Sequence, residues 1–169
     1  KIYNADPASG DFGDLLGEYA APTAQEGRAV FLVGGHVFLG RERPGGSGTT
    51  EDLFIVVNVS NPAAPVLADA VDLNIAKGTA VEGVYVNGPI AFLVTSDENG
   101  NQQSGNNGDG PFIMYDVSDP TDIELIIPCI TLNWSEKSTG LDMADDIAFI
   151  SNMSNDALRV VQPTASCTP

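Results

Sequence analysis

The chain has 169 residues, 43% of them hydrophobic, and a mean hydropathy of +0.02, which is the balance of one folded domain and argues against a disordered protein. Seven Lys and Arg stand against 23 Asp and Glu, a formal charge of −16 and a pI near 4.1, so the surface repels phosphate backbones and anionic headgroups and argues against nucleic-acid partners. Membrane insertion is not expected either: a spanning helix needs about 18 apolar residues, and the longest apolar run, 125–132, contains Pro128.

In chain order, the elements read as hairpins. Residues 1–19, KIYNADPASGDFGDLLGEY, look like the second hairpin of a repeat unit without its first, a partial unit over 1–22. A complete unit follows over 27–73, with the hairpin VFLVGGHVFLG at 30–40, the polar segment RERPGGSGTTEDL at 41–53, and FIVVNVSNPAAPVLADAVDL at 54–73. The next unit, 79–132, repeats the plan. VYVNGPIAFLV at 84–94 alternates around Asn87-Gly88, the dipeptide suited to a type I′ turn, and FIMYDVSDPTDIELIIPCITL at 112–132 closes the unit. A last partial unit over 138–163 holds the hairpin LDMADDIAFIS at 141–151 and a third strand.

The period is about 57 residues. Phe54, Ile55, Val59, Ser60 and Pro62 fall on Phe112, Ile113, Val117, Ser118 and Pro120, while Met143, Ile147, Ala148, Phe149 and Ile150 fall on Val86, Ile90, Ala91, Phe92 and Leu93. Each whole unit is an apolar hairpin, a polar loop and a second hairpin turned by Asp or Asn, Ser and Pro. No ten-residue window carries a 3.6-residue apolar period. The expected fold is all-β, with four-stranded antiparallel units of the β-propeller type, about three in number, in one domain over 1–169.

YDVSDP, NVSNPAAPVL and VYVNGPIAFLV give the chain a resemblance to the LVIVD repeat of bacterial and archaeal cell-surface β-propellers, over most of residues 27–163. The resemblance implies an extracellular, repeat-built scaffold and supplies no catalytic residues. Propellers have four to eight blades. With about three units here, an unclosed array would leave strand edges that invite a partner strand. Because it begins at Lys1 and not Met, the chain is expected to be a processed product.

The stretch DENGNQQSGNNGDG at 97–110 joins the second and third strands of one unit, where the preceding unit also carries its polar segment. Asp97, Asn99 and Asn101 offer oxygen donors at alternate positions, and Asp109 could close a calcium site. The motif is incomplete, with Gln102 at the glycine position and Gly108 in place of the bidentate acid, so a solvated connection is the preferred reading and calcium the sharper one. Arg41 and Arg43 concentrate positive charge at a strand exit, where they could grip an acidic sugar or a partner carboxylate, with ordinary loop charges the preferred reading. Trp134 and Tyr115 are candidates for ligand stacking.

Cys129 and Cys167 could form a disulfide, and Asn133 and Asn152 begin sequons that a glycosylating host could modify. His36, the only histidine, reads as a turn residue. Asp142, Asp145 and Asp146 lie close together, as do Asp116, Asp119 and Asp122, and paired carboxylates can do acid–base work. The latter group lies in the repeat's turn motif, which explains it without chemistry, and no nucleophile-elbow, zincin or phosphate-loop motif is present. The expected function is therefore non-catalytic: an extracellular or cell-surface module that binds protein or carbohydrate, or assembles through sheet edges. A filament subunit completed by strand exchange is the alternative, and a propeller hydrolase or lactonase with a bound divalent ion is the remote one.

Overall fold

The computed structural model describes residues 1–21, 25–42, 52–73, 80–96, 112–126, 138–153 and 157–162. All regular elements among these residues are antiparallel strands. An N-terminal hairpin pairs β1 (Ile2–Tyr3) with β2 (Leu15–Gly17). The first sheet is a meander of β3 (Gly27–Val33), β4 (His36–Arg41), β5 (Phe54–Asn58) and β6 (Val66–Val71). The second repeats it with β7 (Val81–Asn87), β8 (Ile90–Thr95), β9 (Phe112–Asp116) and β10 (Glu124–Ile126). The third has three strands, β11 (Ser138–Ala144), β12 (Ile147–Asn152) and β13 (Leu158–Val161).

The units repeat in backbone detail. The first hairpin of every sheet carries a register shift at one position, between Gly27 and Ala29, Val81 and Gly83, and Ser138 and Gly140. A bulge adds local twist to an antiparallel pair, so all three hairpins are twisted at the same place. The N–H after the third strand is also tied back to the first turn, Val59 to the Gly35 carbonyl at 2.8 Å and Val117 to the Pro89 carbonyl at 2.7 Å.

The Asx turns expected from NVSNP and YDVSDP are present. Asn58 Oδ1 accepts from the Ser60 N–H at 3.0 Å and Asp116 Oδ1 from the Ser118 N–H at 2.8 Å. Asn61 accepts from the Ala63 N–H and Asp119 from the Thr121 N–H in the same way. Hydrogen bonds to the charged form, from the side chains of Ser118 and Thr121 first and from their N–H groups second, hold Asp116 and Asp119 below the usual carboxylate range. The N-terminal hairpin has the same pair of turns, with Asn4 accepting from Asp6 and Asp6 from Ala8.

The hairpin turn at 87–90 differs from the type I′ expected around Asn87-Gly88. Asn87 pairs with Ile90, which makes Gly88 and Pro89 the two central residues. Gly88 has φ +58°, but a proline ring holds φ near −65° and cannot occupy the second left-handed position of type I′. The positive φ at the first central residue alone matches type II′. Type I′ character belongs to the first sheet, where Gly34 and Gly35 have φ +57° and +77°.

Two apolar cores lie between successive sheets. Phe38, Phe54 and Val56 of the first sheet meet Val84, Val86, Leu93, Ile113 and Tyr115 of the second. On its other face the second sheet sets Phe92, Val94 and Phe112 against Met143, Ala148 and Ile150 of the third. The junctions are made mainly by first hairpins: β7 lies against β3 and β4, and β11 against β7 and β8. Glycine permits this approach. A Cβ on Gly83 would sit 2.7 Å from the Leu141 Cβ, and one on Gly40 would sit 2.8 Å from the Val81 carbonyl oxygen.

Candidate functional site

Strand alternation decides which side chains each sheet leaves uncovered. On β3, Phe31 and Ala29 point into the core with the second sheet, while Val30 and Leu32 point the other way and are 65% and 64% exposed. Their cross-strand partners are Leu39 and Val37, followed by Ile55 and Val57 on β5. Ile55 and Val57 are buried, so the uncovered part of this apolar face is its first strand. The N-terminal hairpin touches the opposite half of the sheet, where Gly17 abuts the backbone at Pro62 and Ala63.

At the other end of the molecule, the third sheet buries Ala148 and Ile150 against the second sheet. Its outer face carries Phe149 paired with Val160, and Ser151 paired with Leu158. Leu158 and Val160 are each 58% exposed, and Phe149 is half-exposed. Contiguous exposed apolar surface of this kind marks interaction sites in soluble proteins.

The candidate residues read from the sequence separate into three groups. Arg43, Asp97, Asn99, Asn101, Asp109, Cys129, Asn133, Trp134 and Cys167 lie outside the described residues, and with them the calcium, disulfide and stacking proposals that rest on them. Arg41 is described, and it is not the solvent-facing loop charge that was expected. It is only 2% exposed, and its Nη1 donates to the Asp52 carbonyl at 3.1 Å. Asn152 is also buried. With its amide oxygen toward Arg159 Nε and its nitrogen donating to the Ser151 carbonyl, both at 3.2 Å, the side chain is committed to the fold and not offered to a glycosylating enzyme.

Tyr115 is similarly removed from any ligand. It is 5% exposed and packs on Phe54 across the first core, with ring centroids 5.6 Å apart. Burial, reinforced by the charge of Asp72, pushes its hydroxyl up to about 12. His36 is not a central turn residue but opens β4 after the Gly34-Gly35 turn, with Nδ1 3.2 Å from the Gly34 carbonyl. Asp142 accepts from the Met143 N–H at 2.9 Å. Among the described residues no group of three or more His, Cys, Asp or Glu is placed to hold a metal ion.

Sequence reasoning missed two features. Arg41, Thr95 and Asn152 occupy the same position, the last residue of the second strand, and all three are buried polar groups. Aligning the three hairpins would have exposed this shared polar position at each loop entrance. The second is Arg28, an exposed cation on β3 whose Nε donates to Glu42 Oε2 at 2.6 Å, with Glu26 also within ion-pair reach. That pairing holds the Arg28 guanidinium above its ordinary value.

No protein-family model and no curated protein matches the chain. Among solved structures, it is similar to one described as "Crystal structure of the computationally designed Ika4 protein". The identity is 10% and the TM-score 0.43, over 90% of this chain and 100% of that one.

Proposed function

We propose that the protein is a non-catalytic assembly and binding module, extracellular or at a cell surface, whose sheets are propeller-type blades in an unclosed array. The observation that carries this reading is the pair of uncovered apolar faces at the two ends of the stack, beside units with two and three strands among the described residues. Both whole units have four strands. An apolar face left in water costs roughly 25 cal/mol per Å² relative to a covered one, which favours a partner. The partner class is protein, with carbohydrate as the second candidate.

A filament subunit completed by strand exchange is the second reading. It is favoured by β13, an edge strand of the three-stranded sheet with both Leu158 and Val160 exposed. Hydrolysis remains the remote reading and would require chelator-sensitive turnover of a lactone or glycoside.

The test is a binding assay on the immobilised chain, probed with soluble copies of itself and with a uronic-acid oligosaccharide. Saturable binding of either is expected. Silence toward both, with chelator-sensitive lactone turnover, overturns the module reading.

A further inference from the structure

Val30 and Leu32 are not merely exposed; they stand at positions that the other two units bury or half-bury. The equivalent residues are Val84 and Val86 on β7, and Leu141 and Met143 on β11, and these four pack against the preceding sheet. Val84 and Val86 are 6% and 7% exposed, against 65% and 64% for Val30 and Leu32. At the other end, Phe149 stands where Phe38 and Phe92 stand, and both of those are buried against the following sheet. Val160 likewise takes the cross-strand position that Val56 and Met114 take beside those phenylalanines.

The molecule therefore contains two worked copies of one junction and the two unmatched halves of a third. One half is a first-strand face that receives a preceding sheet, and the other is a second-strand phenylalanine face that receives a following one. We infer that the partner is a second copy of this chain, docked head to tail so that β3 of one copy lies against β11 and β12 of the next. This rests on the assembly reading above and names its partner and its surface. The contact joins two different patches, so it is heterologous, and it propagates into a closed ring or an open filament according to the rotation per copy. It needs no exchange of strands.

Asp142 marks where this junction differs from the first internal one. It occupies the position of Phe31 and Tyr85, which meet with ring centroids 4.9 Å apart at the first junction. A carboxylate there removes an aromatic contact, as it does by the same equivalence at the second junction, where the pair is Tyr85 and Asp142.

Complementary variants test the inference. Leu32→Glu spoils the receiving face and leaves the third sheet intact. Phe149→Glu spoils the third-sheet face and leaves the first intact. Ser151→Glu, on the same strand and face but already polar and exposed, guards against misfolding of the Phe149 variant. In about 0.5 M salt, where surface repulsion is screened, wild type should associate and each variant alone should do so at least tenfold more weakly.

Equimolar Leu32→Glu with either partner variant should form a one-to-one complex of twice 17.6 kDa, because one intact half of each kind remains. Wild-type association that none of the variants weakens overturns the inference and leaves the assembly reading standing. So does binding of the oligosaccharide without self-association. A wild type that binds neither itself nor the oligosaccharide overturns both.

Discussion

Gly83 sits where the second sheet lies close against Leu141 of the third, and its missing side chain is what allows the contact. An added Cβ would lie 2.9 Å from the Leu141 N and 2.7 Å from Val94 Cγ2, so Gly83→Ala must push two sheets apart. Overpacking of this kind costs about 1–3 kcal/mol, and thermal unfolding should show the loss as a lower Tm. Tyr115 gives a second residue-scale test, one of alkali. Its folded-state value near 12 lies above the ordinary 10, so its contribution is complete below pH 10 and is lost as pH rises toward 12. Wild type should lose at most about 3 kcal/mol across that window, and Tyr115→Phe should flatten that part of the stability profile.

At the scale of elements, the bond between Asp69 and Ile123 couples two sheets. Asp69 Oδ2, on β6, accepts from the Ile123 N–H of the second sheet at 2.7 Å, across 54 residues of sequence, while Oδ1 accepts from the Ala70 N–H. Asp69→Ala leaves the N–H of buried Ile123 without that acceptor and should destabilise by about 1–3 kcal/mol. Asp69→Asn keeps an oxygen in place and should recover most of the loss in chemical denaturation.

Much of the element plan was legible beforehand. The repeats in 54–73 and 112–132 predicted paired strands and Asx turns, because Asn or Asp two residues before Ser satisfies its own backbone wherever it occurs. The hairpins were legible for the same local reason. What escaped was set by register and by packing. The turn type at Gly88 depends on Asn87 pairing with Ile90, which composition does not reveal. Arg41 looked like a loop cation because its neighbours are charged, yet its pairing with Gly27 at the strand end places it inside. Tyr115 looked available for stacking because nothing in YDVSDP says which face of β9 meets another sheet. The uncovered faces were half visible: Val30 and Leu32 match Val84 and Val86 in hydrophobicity, but only the stacking order shows which copy lacks a neighbour.

For the whole molecule, the account is one of a repeated junction and a repulsive surface. Apolar matching between end faces favours association, whereas a formal charge of −16 on 169 residues opposes the approach of identical copies. Screening shortens the reach of that repulsion from roughly 30 Å at 0.01 M salt to roughly 3 Å at 1 M and leaves apolar contact in place. Self-association should therefore strengthen with salt, the reverse of an interface held by ion pairs. The most direct measurement is the solution mass by sedimentation equilibrium over a concentration series at low and high salt. The account predicts a mass that rises above 17.6 kDa with concentration, more steeply at high salt. A single 17.6 kDa species under every condition would contradict it.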